Sequence, residues 1–583
     1  ALGPSAGTYS LSPAVVFAEG GKGVSEPLNV SSHEERSDFQ TSLGQLRSAY
    51  PAASRMALTY RWAVEDLRCA LSAPQPRLGP EARSDWAVAG VNPGTAQAVQ
   101  GGVIRGFDMG TPPDAHVIGA IKHMHQYSTQ VMIRPELVLD ISDGQSLTDP
   151  WSDGVQRSRA PGGRITLSKA RGEAGSPDGT MAARTEVEAF LGTAQVNDFA
   201  VVDGQVVYSG PSEWGYRRFI LHAAALAVAA GGVDSFCLGV GLAGLTRLRD
   251  GAGGVPFVEG LMTLAQDVRS FLGVDVKIGY AADWQEYGAQ QAQDGSGDLR
   301  YPLDPLWAHG DIDFVGIEAR FPLTDWRIEE AHLDANWSGP NDLDYITSGL
   351  EGGEGYDWRY ASEADRAGQV RTPIVDLAYS DPWVFRPKDM RNWWDRPHWE
   401  RPGGVRDRVS TAWVPQMKPI WLTGLGCPAV RFGLNQPDAL RDPLWDETLP
   451  GSSDGSQDDL VQRRMAQAYF GYWGGEGVNP SSREYDGSML DLGRVYLAHW
   501  DVRPMPAVAS AASAWPDVGR VGTGHAISPR ADQVSVAEVV RDVAARAGVV
   551  SLEADRAVGM IKGAIIGGHE TARQSLQPIL SSF

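Results

Sequence analysis

The feature that most constrains this chain is alternation. Short runs of β-branched and apolar residues are separated, again and again, by amphipathic helical stretches. Strands are predicted at Met56 to Trp62, Gln130 to Pro135, Ser235 to Val240, Val274 to Ala281, Asp313 to Ile317, Pro419 to Leu425 and Arg494 to His499. Helices are predicted around Ser37 to Tyr50, Ala115 to Tyr127, Tyr216 to Ala230, Phe257 to Phe271 and Asp458 to Trp473, the last with Asp458 and Asp459 in its first turn, where the helix dipole favours acid. Strand–helix alternation of this kind predicts a parallel α/β architecture. No glycine-rich phosphate loop follows the first strand, so a (β/α)8 barrel of the TIM type fits better than a doubly wound sheet. The eighth strand is expected at Ile374 to Ala378 or within Asp198 to Ser209.

The barrel spacing is inflated by long insertions. Residues 65–114 and 142–198 are rich in Gly, Pro, Ser and Asp, and residues 327–417 hold Trp358, Trp383, Trp393, Trp394 and Trp399. Long loops on a barrel generally shape its C-terminal face. Composition changes after Pro506, and four segments are expected: a strand and linker over 1–36, the barrel over 37–510, a Gly/Ala/Ser-rich linker over 511–530, and the start of a small α+β domain over 531–583. In the last, Ser535-Val-Ala-Glu538 is a capping-box pattern, and a short strand near Met560 to Ile566 and a helix from Thr571 follow. Tyr9 to Ala18 reads as a strand with nothing local to pair with. Both chain ends read as the limits of a fragment.

Charge and cysteine content exclude several classes. A net charge of −21 repels phosphate backbones and anionic lipid, so neither nucleic acid nor a membrane surface is an expected partner. Cys69, Cys237 and Cys427 are far apart and odd in number, which indicates neither a disulfide scaffold nor a zinc cage. The longest apolar stretch, Phe219 to Val233, contains His222 and is too short to span a bilayer. His123 and His125 point to different faces of a predicted helix and make a poor chelate. The segment around Gly433 lacks the lysine of a phosphate loop. No metal and no cofactor is expected.

Several segments carry a family resemblance: Ala281-Ala-Asp-Trp-Gln-Glu-Tyr287, Asp311-Ile-Asp-Phe-Val-Gly-Ile317, Phe321-Pro-Leu-Thr-Asp-Trp326, Gly352-Gly-Glu-Gly-Tyr-Asp-Trp358, Lys388-Asp-Met-Arg-Asn-Trp-Trp394, Arg401-Pro-Gly-Gly404 and Trp500-Asp-Val-Arg-Pro504. Together they cover roughly residues 38–506. The chain resembles the glycoside-hydrolase-like barrel of the baseplate ("megatron") tail protein of gene transfer agents and related tailed phages. Residues 530–583 resemble the beginning of the tail-hub domain that follows it. The resemblance implies a virion tail-tip protein with other tail proteins (hub, distal tail, fibres) as partners, assembled as a homo-oligomer for which a trimer is the first expectation, and host surface glycan as a possible ligand.

Members of that family resemble retaining glycosidases, whose two carboxylates, about 5–5.5 Å apart, end different strands. In the family pattern one glutamate lies in a Gly-Ser-Glu-Leu segment, which here reads Gly239-Val240-Gly241-Leu242. The other lies in a Thr-Glu-Leu-Gly-Cys-Pro segment, here Thr423-Gly424-Leu425-Gly426-Cys427-Pro428. Both glutamate positions, 241 and 424, are glycine, so the resemblance implies a structural barrel that has lost catalysis. The alternatives are a hydrolase of wall or surface polysaccharide using relocated carboxylates, and a non-catalytic glycan-binding module.

Carboxylates near predicted strand ends are Glu65, Asp66, Glu136, Asp140, Asp283, Glu286, Glu318 and Asp501. A relocated pair would combine Glu318 with Glu136 or Asp283. The plainer reading is ion pairing with Arg134, Arg320 and Arg503, which is common at barrel rims. Trp284, Trp326, Trp421 and Trp500 have faces suited to sugar rings, although most tryptophans are packing residues. The residual glycan or acid–base candidates are thus Glu136, Asp283, Trp284, Glu318, Trp500 and Asp501. Restoring both glutamates, Gly241→Glu with Gly424→Glu, is expected to lower stability only slightly.

Overall fold

The computed structural model describes residues 2–3, 9–13, 15–17, 25–27, 29–30, 36–79, 86–99, 110–142, 144–157, 162–292, 294–440, 448–458, 460–504, 523–527, 534–549, 552–554, 557, 560–561 and 570–582. Most of the linker expected over 511–530, and Asp459, lie outside these residues.

Eight strands make one curled parallel sheet: β1 (Leu2–Gly3), β2 (Arg55–Val64), β3 (Gln130–Leu139), β4 (Ser235–Val240), β5 (Lys277–Asp283), β6 (Phe314–Glu318), β7 (Ile420–Leu425) and β8 (Leu490–Leu497). Each of β2 to β7 pairs with the next in sequence, all parallel. The ring is completed by β1, which pairs with β2 through Leu2 and Leu58 and with Trp500–Asp501, the extension of β8. The fold is a TIM-type α/β barrel.

The eighth strand is therefore neither of the two segments expected. Phe199–Val202 and Gln205–Tyr208 form a self-contained antiparallel hairpin. Its two-residue turn, Asp203-Gly204, has positive φ at both positions, which matches strand twist and pairs the segment with itself. Ile374 to Ala378 is irregular; only the preceding Thr372–Pro373 pairs, with Trp358–Arg359. The N-terminal expectation is also corrected, since Val15–Phe17 has a local partner in Ser25–Pro27.

Helices cover the strands where the apolar period required them. Asp38–Ala49 (α1) is capped by Ser37, whose Oγ accepts from Gln40 N at 3.3 Å. Asp114–His125 (α2) precedes β3, and Tyr216–Ala229 (α3) is buried over nearly its whole surface. Pro256–Leu272 (α4) starts on a proline, whose missing N–H is harmless there. Leu460–Trp473 (α5) packs beside β8, and Asp458 accepts from Leu460 N ahead of it. Beyond the barrel, Val534–Ser535 pairs with Met560–Ile561, and helices Val536–Arg546 and Ala572–Leu580 pack on each other.

Inside the barrel, alternate residues of each strand stack in layers. Ala57, Met132, Cys237, Ala281, Phe314, Trp421 and Tyr496 share one buried cluster. Phe314 and Trp421 lie face to face with centroids 3.8 Å apart, and Gly279 makes room, because a Cβ there would come within 2.5 Å of the Phe314 ring. Toward the C-terminal ends the same alternation turns polar: Thr59 is in register with Arg134, Arg61 with Glu136, and Asp283 with Glu318.

Candidate active site at the barrel mouth

Gly241 follows β4 directly and Gly424 is the penultimate residue of β7, so both stand at the C-terminal end of the sheet. Their surroundings differ. Gly241 has φ +51°, and a Cβ there would meet nothing nearer than Asp283 Cβ at 4.0 Å. A Cβ on Gly424 would lie 2.3 Å from Glu318 Oε2 and 2.7 Å from its carboxyl carbon. Glu318, on the neighbouring strand β6, thus fills the space that any side chain at 424 would enter.

Glu318 is completely buried. Arg134 donates to Oε2 at 2.7 Å, Arg320 donates to the same oxygen at 3.0 Å, and Thr423 Oγ1 donates to Oε1 at 2.9 Å. Two guanidinium groups, each about 5% exposed, hold the charge in place. A buried carboxylate is tolerated on such terms, and an arginine-bound one is a poor proton donor.

Most other candidate carboxylates are likewise engaged by arginine. Glu136 Oε2 accepts from Arg61 Nε and Nη2 at 3.1 and 2.9 Å. Asp501 is bound by Arg503 at 2.7 Å; burial alone would raise its pKa, but the guanidinium charge and hydrogen bonds hold it below the usual carboxylate range. Asp66 is bound by Arg68 at 2.7 Å. Arg77 reaches both Glu65 at 2.8 Å and Asp140 at 3.4 Å. Asp283 is part-exposed and accepts from Gln285 N at 2.9 Å.

Among the described residues no arginine forms a salt bridge with Glu286, although the Arg247 charge acts on it. It is buried and accepts from Thr246 Oγ1 at 2.6 Å, Tyr280 OH at 2.9 Å and Asp283 N at 3.0 Å. Burial pushes its carboxyl pKa up against the pull of those hydrogen bonds. Tyr280 OH also accepts from Leu242 N at 2.7 Å, so this network fixes the turn that carries Gly241.

The tryptophans separate in the same way. Trp421 belongs to the barrel interior, and Trp500 is buried with its Nε1 donating to Ser42 Oγ at 2.9 Å, so neither offers a face to a sugar. Trp326 packs on His332 and Tyr345. Trp284 is half-buried beside Asp283, edge-on to Phe321. Arg61, the partner of Glu136, was missed in the sequence; its signal was a polar residue two places after Thr59 on the inward face of a strand. His123 packs on Tyr127, and among the described residues no group of three His, Cys, Asp or Glu side chains could hold a metal ion. Among them, too, no helix is long and apolar enough to cross a membrane.

No curated protein matches the chain. Among solved structures it is similar to a GH113 β-1,4-mannanase at 10% identity, covering 84% of this chain and 88% of that one with a TM-score of 0.35. A complex of a GH113 β-1,4-mannanase gives 12%, 83%, 88% and 0.36. The GH113 β-mannanase from Alicyclobacillus acidocaldarius in complex with ManMIm gives 13%, 83%, 91% and 0.34. Superpositions this loose carry no weight for activity. The family model described as the GTA TIM-barrel-like domain matches residues 214–509, just over half of the chain, from α3 through β8 and its extension. With strands β4 to β8 and both glycine positions inside that span, the chain belongs to the GTA TIM-barrel-like domain family.

Proposed function

We propose that this chain is a structural tail-tip or baseplate component of a phage or gene-transfer-agent-like particle, and that its glycosidase-like barrel no longer turns over glycan. One observation carries the second part: the carboxylate nearest to position 424 is Glu318, completely buried and bound by Arg134, Arg320 and Thr423. A retaining mechanism needs a proton donor and an accessible nucleophile. Here position 241 has no side chain, and the space at 424 holds a carboxylate neutralised by arginine. General acid–base help is worth about 10²–10⁴-fold, and without a nucleophile the covalent route is lost as well. Family membership supports the tail assignment, in which other tail proteins and further copies of this chain are the partners.

The test of catalysis is incubation of the purified protein with host wall and capsule glycans. No turnover is expected; turnover abolished by Glu318→Gln or Glu136→Gln would overturn the reading. The test of location is mass spectrometry of purified particles with immunogold labelling, which should place the chain at the tail tip.

A further inference from the structure

We infer that Arg134 and Arg320 form a carboxylate-receiving site at the barrel mouth which the chain fills itself, with Glu318 as resident ligand, and that the site accepts a carboxylate delivered from position 424 or from solution when Glu318 is withdrawn. The inference is independent of whether the barrel serves a tail. Three observations carry it. Both guanidinium groups are more than nine-tenths buried and converge on one oxygen, Oε2, at 2.7 and 3.0 Å. Among the described residues Arg134 Nε has no hydrogen-bond partner, so this arginine keeps donor capacity beyond its bond to Glu318. A Cβ at 424 would fall 2.3–2.7 Å from the Glu318 carboxyl atoms, so a short acidic side chain there emerges into the space this carboxylate fills.

Two desolvated arginines without an anion are costly, whereas a small carboxylate matches the guanidinium fork. The source of the carboxylate is secondary to its position. Position 424 is glycine because the place beside it is taken, and the acidic group has one seat that two adjacent strands, β6 and β7, can supply. Aspartate suits 424 better than glutamate, since its carboxyl lies one methylene closer to its own Cβ.

The experiment is thermal melting of the full chain in sodium formate against sodium chloride at equal ionic strength. Wild type should melt alike in both, because its site is occupied. Glu318→Ala should lose about 5 °C in chloride and recover about half of that in formate. Glu318→Gln keeps the volume and removes the charge, so it should lose stability without responding to formate. Glu318→Ala with Gly424→Asp should regain stability in chloride and lose its formate response. If Glu318→Ala yields folded protein only when refolded in formate, the same dependence is read. A Glu318→Ala variant as stable as wild type, or one that responds equally to formate and chloride, would overturn the inference.

Discussion

At the scale of single residues, two glycines that look equivalent in sequence differ in consequence. Gly424→Glu drives a side chain into a fixed, arginine-bound carboxylate, combining overpacking with two buried like charges, and should cost about 3 kcal/mol or more. Gly241→Glu enters open space and pays chiefly for a left-handed backbone, about 1–2 kcal/mol. Denaturant titration of the two variants should show that asymmetry, so the slight loss expected from sequence for the pair is corrected upward. Lys388 offers a second residue-scale prediction. It is buried, with Nζ donating to Pro322 O at 2.6 Å and Gly349 O at 2.5 Å, and burial pushes its pKa down to about 7 despite Glu354 and Asp357. The folded pKa lies below the unfolded one, near 10.4, so the unfolded chain binds the extra proton between them. This group therefore destabilises fully below pH about 7, and stability rises with pH through that window by at most about 1.4 kcal/mol per unit. The stability difference between wild type and Lys388→Met, measured at several pH values from neutral to alkaline, should move in favour of wild type as pH rises.

At the scale of elements, the insertion over 327–417 shows what its tryptophans do. His398 is buried between the faces of Tyr301, at 4.5 Å, and Trp413, at 5.6 Å, with Trp383 and Trp393 closing the sides. Its Nδ1 meets Asp304 at 2.8 Å and its Nε2 meets Trp393 O at 2.8 Å, tying the insertion to the short helix Asp304–Trp307. Trp413→Ala should cost about 3–5 kcal/mol and expose sites within 327–417 to limited proteolysis while β2 to β7 stay protected. Much of this architecture was legible in advance. Seven strands announced themselves because each is a continuous apolar run with β-branched residues, and the helices because their apolar period is clean. The eighth was not legible, since two residues, Leu2 and Gly3, carry no period at all; only tertiary pairing defines them. At the mouth, Arg134, Arg320 and Arg503 could be named from sequence as a group of candidate partners, and Arg320 and Arg503 follow Glu318 and Asp501 by two residues, but Arg134 reaches Glu318 from a strand that is not its neighbour. The seating of Glu318 in the space beside Gly424 could not be, because it depends on which side chain crosses to the neighbouring strand.

At the scale of the whole molecule, the closure of the ring sets the next prediction. Leu2 is 2% exposed and contacts both β2 and the extension of β8. Removing residues 1–3 uncovers the edges of Arg55–Val64 and Trp500–Asp501, and an open sheet edge is a template for pairing with other chains. The truncated protein should melt earlier and aggregate on heating, as read by light scattering during the melt; unchanged melting would show that the ring holds without β1. That same closure joins residue 2 to residue 500, nearly the whole sequence apart. Contacts so distant close only after the intervening chain exists, and they slow folding. A ribosome adding about 5–20 residues per second needs on the order of a minute to travel between them. Throughout that interval the nascent barrel presents an unpaired margin, so its safe completion depends on how long the growing polypeptide is shielded from its neighbours.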